Sequence, residues 1–247
     1  MRTGLIVFAL ALTVAPLPGV ARTAPIEEPA AQPGSATAAT LVGMFIDEQS
    51  LLARVDRDIP AMYRGSPKFQ ALEADYPGIT DYVIGRMLPG SKRRTVDRLH
   101  LMSGPMAAYL SANMAEADLA QVVTFYRGPV GAKMIGILRQ VNGAPMLQSM
   151  ASKAGKVTGE DLEKGAAATI AADGGVATKL TQTELAAVVR FLATDAGKKW
   201  TTIRPGFSAF MADLSNKEAQ ASLPVIRAEV ASAIADYERD HPKKVSQ

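Results

Sequence analysis

Residues 119–134 read Leu119-Ala-Gln-Val-Val-Thr-Phe-Tyr-Arg-Gly-Pro-Val-Gly-Ala-Lys-Met134, and residues 185–200 read Leu185-Ala-Ala-Val-Val-Arg-Phe-Leu-Ala-Thr-Asp-Ala-Gly-Lys-Lys-Trp200. Seven of the sixteen aligned positions are identical, and corresponding positions lie 66 residues apart. Similarity of this kind within one chain indicates a duplicated supersecondary unit. We refer to the two segments as the first stretch and the second stretch.

Both stretches carry apolar residues at the spacing of an amphipathic helix. Gly128-Pro129 and Thr194-Asp195 follow, and they favour the start of a new helix, because proline suits the first turn and threonine caps it. Each stretch therefore predicts a helix, a tight turn and a second helix that begins at 129 or at 195. The apolar positions are Leu119, Val122, Val123 and Tyr126 in the first stretch and Leu185, Val188, Val189 and Leu192 in the second.

The start of the first helix in each stretch is also marked in the sequence. Thr181 and Glu184 form a capping box ahead of the second stretch. The first stretch lacks this pair, and Asn113 with Glu116 is the expected substitute.

Glycine recurs at a costly place in both stretches. Gly131 and Gly197 occupy the third position of the second helices, where glycine costs about 1 kcal/mol relative to alanine. Close approach of the preceding helix would compensate, with Phe125 or Phe191 lying across the missing side chain. We therefore expect Gly131→Val to destabilise the fold. The predicted structural motif consists of Phe125, Tyr126, Pro129, Gly131, Phe191 and Gly197.

Helical periodicity dominates the rest of the chain, and no segment shows the sustained alternation of a half-buried strand. The sequence predicts an all-α helical bundle, built from two duplicated helix-turn-helix units plus N-terminal kinked helices and a closing C-terminal helix. The further expected helices cover 38–63, kinked or ended at Pro60; a short segment after Ser66-Pro67; 78–112, interrupted at 88–90 and 104–105; 160–172; and a closing segment that starts at a Leu214-Ser215-x-x-Glu218 capping box, after a bend at Pro205-Gly206.

The N-terminus has the pattern of a secretory signal peptide, with Arg2, an apolar run and a small-x-small site at 19–21. The uninterrupted part of the run ends near Pro16, short of the ~20 residues that span a bilayer, so we expect no transmembrane anchor in the mature chain. An exported chain without cysteine favours a bacterial periplasm. The predicted segments are a signal peptide at 1–21, a disordered linker at 22–37, an N-terminal helical region at 38–112, a first repeat unit at 113–175, a second at 176–240 and a frayed tail at 241–247.

The motif Phe125-Tyr126-x-Gly128-Pro129-x-Gly131-x-Lys133 resembles the bacterial exported proteins gathered as domain of unknown function 2059. The resemblance implies an α-helical envelope protein, and it transfers no catalytic residue, because the family has no agreed activity. Gly128 stands where the family usually has serine. The second stretch resembles the same family in a more degenerate form.

Candidate residues for chemistry are few. The chain has two histidines and no cysteine, so we predict no metal site, no cofactor and no catalytic residue. We favour a surface hydrogen bond for Asp97 with His100, and helix-dipole and capping effects for Glu116 and Asp118. Lys133 and Lys199 are the charged residues identical in both stretches, and they predict either an anion or partner contact or, as we favour, solvated lysines that cover apolar surface.

Two further groups of residues have alternative interpretations. The basic cluster Lys92-Arg93-Arg94, with Arg98 nearby, could meet phosphate groups of lipid, whereas we favour a solvated helix start and expect no nucleic acid partner. Methionines fill a helical core or line an adaptable groove, and we favour the core. They include Met102, Met106, Met114, Met134, Met146 and Met150.

Three functions remain open from the sequence. We expect a non-enzymatic periplasmic module that binds an unknown envelope protein. The first alternative is a carrier of a small apolar ligand or lipid, which needs an apolar cavity between the two stretches. The second is a hydrolase that uses carboxylates alone, such as Glu116 and Asp118, and it needs a buried carboxylate pair in a cleft.

Overall fold

A computed structural model describes residues 34–141, 156–172 and 174–242, and within them every regular element is a helix, which confirms the all-α class. The signal peptide, most of the linker, Met146 and Met150 lie outside these residues. The elements are α1 (Ala36–Phe45), α2 (Glu48–Arg64), α3 (Pro67–Asp75), α4 (Ile79–Asn113), α5 (Glu116–Arg127), α6 (Pro129–Gln140), α7 (Gly159–Ala172), a 3-10 turn (Ala177–Lys179), α8 (Gln182–Ala193) and α9 (Asp195–Asp240).

The first predicted helix is divided, but not at its proline. The chain breaks at Ile46 and Asp47, both with extended backbone, and the Asp47 carboxylate caps α2 by accepting a hydrogen bond from the Ser50 amide. The helix α2 then continues through Pro60 to Arg64. A side-chain cap thus decides this boundary, because it satisfies amides that a helix start leaves without partners.

The helix α4 is continuous where the sequence predicted two interruptions. It runs through Pro89 and Pro105 without a break. Each proline removes one hydrogen bond and costs about 3 kcal/mol inside a helix. Burial of apolar side chains along α4, with Met87, Met102 and Met106 at most 2% exposed, offsets that cost.

The closing helix is likewise part of one long element. The helix α9 extends over 46 residues, and Pro205 and Pro224 lie inside it. The predicted capping box at Ser215 and Glu218 is therefore wrong, since Ser215 is buried within the helix. The local sequence predicts a helix start at Ser215, but the helix is continuous there because tertiary packing buries this part of α9.

The structure confirms several predicted helix starts and corrects one. The helices α6 and α9 begin at 129 and 195, and Thr181 with Glu184 forms the capping box of α8. The expected cap of α5 by Asn113 is wrong, because the Asn113 amide donates to the carbonyl of Tyr109. Ala115 precedes α5 and gives no side-chain cap.

Apolar side chains pack into two clusters. The larger one joins α1, the start of α2, the second half of α4 and the helices α5 to α8 with the first half of α9. The smaller one contains Tyr63, Phe69, Ile79, Val83 and Tyr237, from α2, α3, the start of α4 and the end of α9. The long helices α4 and α9 therefore contribute to both clusters, and the two stretches meet in the larger one.

Candidate functional site

The two stretches face each other across a pair of stacked rings. Phe125 of α5 and Phe191 of α8 occupy corresponding positions, and their ring centroids lie 4.0 Å apart with planes inclined by 6°. Tyr126, beside Phe125, is fully buried against Trp200, whose indole Nε1 donates to the Tyr126 hydroxyl at 3.3 Å. Burial raises the pKa of the Tyr126 phenol well above its ordinary value. We call this contact between α5–α6 and α8–α9 the junction.

The two conserved lysine positions of the stretches hold the junction by reciprocal ion pairs. Lys133 Nζ lies 2.8 Å from the Glu184 carboxylate, and Lys199 Nζ lies 2.5 Å from the Asp118 carboxylate. Glu184 corresponds to Asp118 in the alignment, just as Lys199 corresponds to Lys133. Each lysine thus reaches the first turn of the helix that begins the other stretch.

Hydrogen bonding dominates the electrostatics of these pairs. The hydrogen bond from Lys133 lowers the pKa of the Glu184 carboxyl below its ordinary value. The hydrogen bond to Asp118 raises the pKa of the Lys199 ammonium. Both lysines therefore have carboxylate partners within the chain, and a contact of either lysine with an anion or a protein partner stays a prediction.

Both junction glycines lie against the backbone of the preceding helix. A Cβ atom at Gly131 would overlap the Phe125 carbonyl oxygen, and one at Gly197 would overlap the Phe191 carbonyl oxygen. The close approach predicted from the sequence is present. The obstructing group is the backbone rather than the phenylalanine ring, because the two rings stack on each other instead.

The apolar faces of α5 and α8 differ in how they are covered. The helix α1 packs on the α5 face, where the Phe45 ring lies 4.7 Å from that of Tyr126. The helix α8 packs mainly on α6 and α9, and the outer part of its face is open within the described residues. Val123 on α5 is 6% exposed, whereas Val189 at the corresponding position of α8 is 54% exposed. The sequence predicted equivalent faces, and this asymmetry is a correction.

The open surface of α8 has a defined composition. Leu185, Val188 and Leu192 are half-buried at its inner edge. Its exposed residues at helical spacing are Ala186, Val189, Arg190 and Ala193. We call these seven residues the α8 surface. The sequence did not indicate that this surface is exposed, because the corresponding residues of α5 are buried and the difference arises from which helices pack on each face.

The predicted carboxylate pair is divided between two structural roles. Glu116 is exposed and accepts a hydrogen bond from the Thr37 hydroxyl in the first turn of α1. Asp118 is buried and pairs with Lys199. Across residues 34–141, 156–172 and 174–242, no group of three or more acidic or histidine side chains is arranged to hold a metal ion.

The remaining predicted candidates also have structural positions. Met102, Met106, Met114 and Met134 are buried in the larger cluster, as the core interpretation expected. Within the basic cluster, Lys92 pairs with Asp56 on α2 and Arg94 pairs with Glu229 on α9. Among the helices that the structure describes, none has the length and apolar composition required to cross a membrane.

The motif around Phe125 lies inside a segment of known family. Residues 102–160 match the DUF2059 family. Its members are described as an uncharacterized protein conserved in bacteria. The matched residues contain the end of α4 from Met102 onwards, α5, α6 and the first residues of α7. This match confirms the resemblance inferred from the motif. No curated protein and no solved structure matches the chain.

The junction extends beyond the DUF2059 segment. The segment supplies Phe125, Gly131 and Lys133, whereas Phe191 and Glu184 lie outside the match. The first stretch therefore lies inside the matched residues, and its structural partner in this chain is the second stretch.

Proposed function

We propose that this chain is a non-enzymatic binding module of the bacterial periplasm, and that the α8 surface holds an amphipathic helix of an envelope protein. The observation that carries the proposal is the exposure of Val189, which is 54%, against 6% for Val123 at the corresponding position. An apolar helix face left open in this way favours a binding surface, because burying it against a partner removes apolar area from water.

The way α1 covers α5 suggests what the occupant is. Residues 36–45 contain no charged side chain, and Leu41, Val42 and Phe45 are buried where α1 meets its neighbours. A partner helix with a comparable apolar stripe would fit the corresponding surface on α8. Two helices pack in this way when the ridges of side chains on one fit into the grooves of the other.

Charge complementarity adds a second feature to the occupant. Arg190 is exposed beside Val189, and none of the residues that the structure describes forms an ion pair with it. An acidic side chain at the edge of the partner's apolar stripe would pair with this guanidinium. Such rim charges mainly contribute specificity and a faster association rate.

The alternatives receive less support. A carrier of a small apolar ligand or lipid needs a cavity between the two stretches, where Phe125 and Phe191 instead stack directly. A carboxylate hydrolase needs a shared site for Glu116 and Asp118, which are held by partners on different helices. The binding module uses the junction as a rigid support for α8.

Export to the periplasm rests on the sequence of the N-terminus. The basic residue, apolar run and small-x-small site of residues 1–21 are typical of a secretory signal peptide. The match to a bacterial family agrees with this location. A periplasmic fraction that lacks the mature chain would contradict this part of the proposal.

Paired substitutions test the binding surface in the full chain. Val189→Glu places a charge in the α8 surface, and Val225→Glu is the matched control, since Val225 is 52% exposed on α9. We expect quantitative mass spectrometry of affinity-purified complexes to show an exported protein depleted about tenfold or more by Val189→Glu and retained by Val225→Glu. Equal recovery with both variants, or recovery of lipid alone, would contradict the proposal.

A further inference from the structure

A groove between α4 and α9 lies apart from the α8 surface and has its own chemistry. Its volume is about 490 Å³, and it is lined by Arg86, Met87, Gly90, Arg93, Ala228, Glu229 and Ser232. A volume of this size is in the range of small-molecule sites. We propose that this groove binds a phosphate ester through Arg86 and Arg93.

Two ion pairs explain why the groove is open. Arg94 makes two hydrogen bonds to the Glu229 carboxylate, at 2.9 and 3.1 Å, and Arg86 lies 3.6 Å from Asp236. The two arginines are eight residues apart on α4, about 12 Å along the axis. Gly90 lies midway between them, and because it has no side chain the Arg94 guanidinium lies 3.2–3.3 Å from where its Cβ atom would stand. Ion pairs therefore bridge α4 and α9 on both sides of the groove.

The charges in the groove favour an anion. Arg86, Arg93 and Glu229 are its charged lining residues, and Glu229 is already neutralised by Arg94. Arg93 is exposed, and among the described residues no carboxylate pairs with it. Arg86 shares its partner, Asp236, with Arg239. The groove thus presents more guanidinium charge than its carboxylates offset.

The residues of the basic cluster differ in whether they have carboxylate partners. Lys92 lies 2.6 Å from Asp56, and the charge of Glu218 acts on the half-buried Arg98. With Arg94 held by Glu229, Arg93 is the member of the cluster whose guanidinium faces the groove without a carboxylate. Arginine binds phosphate oxygens by two parallel hydrogen bonds, which lysine cannot provide.

The rest of the lining fits a phosphate ester better than a bare ion. The side chain of Met87 is 2% exposed and offers an apolar floor. The exposed Ser232 hydroxyl supplies a further donor on the α9 side. A phosphate group between the arginines would leave room for the organic part of the ester over Met87. The ester could be a soluble metabolite or a lipid headgroup, which share this chemistry.

Binding of two probes to the full mature chain tests the proposal and distinguishes these sources. The first is glycerol 3-phosphate, measured by isothermal titration calorimetry. The second is a set of phosphatidylcholine vesicles with and without phosphatidylglycerol, measured by co-sedimentation. Arg93→Gln removes the groove cation, and Lys92→Gln is the matched control, because it removes the same charge from the adjacent residue outside the groove.

We expect Arg93→Gln to weaken binding about tenfold, and Lys92→Gln to leave it within about twofold of wild type. This pattern with glycerol 3-phosphate assigns a soluble ester, and the same pattern with anionic vesicles alone assigns a lipid headgroup. If neither glycerol 3-phosphate nor the anionic vesicles bind, the proposal is overturned. Equal weakening by both variants also overturns it, because it indicates general charge attraction. Neither outcome depends on the helix proposed for the α8 surface.

Discussion

Phe125 and Phe191 stack with their ring planes inclined by 6°, although 66 residues separate them in the sequence. They occupy the same position of the two aligned stretches, so each stretch supplies the ring on which the other packs. Stacked aromatic pairs contribute about 0.5–1.5 kcal/mol beyond their buried area. The junction therefore joins α5–α6 to α8–α9 as one support, on which the α8 surface is exposed.

Two glycines of α6 should respond oppositely to the same substitution. A Cβ at Gly131 would overlap backbone atoms of Phe125 and Tyr126, whereas a Cβ at Gly136 would meet open space. We expect Gly131→Ala to lower the free energy of unfolding by about 1–3 kcal/mol. Gly136→Ala should raise it by up to about 1 kcal/mol, because alanine favours the helix. Urea denaturation measures both, and equal shifts would refute the close-approach explanation.

Removing the hydrogen bond between Tyr126 and Trp200, the single tryptophan, should lower the stability of the fold measurably. Tyr126→Phe removes the buried hydroxyl that accepts a hydrogen bond from the Trp200 indole N–H. We expect the free energy of unfolding to fall by about 1–2 kcal/mol. Trp200 fluorescence during urea denaturation measures this loss. Tyr109→Phe is the control, because its ring also stacks in the core while its hydroxyl bonds to no described residue. A comparable loss in the control would assign the effect to ring packing.

The ion pair between Lys133 and Glu184 should stabilise the fold only above acid pH. Glu184→Gln removes the charge and keeps the capping box, because glutamine also serves at that position. The pair lowers the pKa of Glu184, so its contribution is present above the ordinary glutamate pKa and is lost as the pH falls through the lowered pKa. We expect Glu184→Gln to be less stable than wild type near pH 7, and the difference to disappear at an acid pH below the lowered pKa of Glu184.

Chemical denaturation at the two pH values measures this difference. Glu160→Gln is the control, since its partner Lys164 lies on the same helix and both side chains are exposed. Exposed pairs of this kind contribute little, so the control should match wild type at both pH values. A deficit of Glu184→Gln that persists unchanged at acid pH would rule out the ion pair as its cause.

The two aligned valines should differ strongly in their tolerance of a charge. Val123→Glu places a carboxylate in the larger cluster and should cost about 3 kcal/mol or more, because the charge is buried without a partner. Val189→Glu should change the free energy of unfolding by less than about 0.5 kcal/mol, since the position is exposed. Thermal and urea denaturation of both variants compare the faces directly, and similar losses would mean that the α8 surface is covered.

Local sequence was sufficient for some features of this fold. The capping box at Thr181, the helix starts at 129 and 195 and the close approach at Gly131 depend on neighbouring residues, and the structure has all of them. The continuity of α4 and α9 through their prolines could not be predicted in this way, because burial against distant helices offsets the local cost.

The candidate sites were even less accessible to sequence analysis. Lys133 and Lys199 were recognised as paired positions, but their partners are 51 and 81 residues away. Val123 and Val189 are the same residue type in similar local sequences, but Val123 lies in the larger cluster and Val189 is exposed, because different helices pack on α5 and α8. The sequence does not distinguish Arg93 from its basic neighbours, because the carboxylates that pair with Lys92 and Arg94 lie on the distant helices α2 and α9.

Photo-crosslinking in the native envelope shows directly whether α8 holds a helix of a partner protein. A photoreactive amino acid replaces Val189 in the full chain, and Val225 in the control. We expect a crosslink from position 189, and not from 225, to the apolar stripe of a helix in one exported protein. Equal products from both positions, a crosslink only to lipid or to a second copy of this chain, or no product at 189 would contradict it.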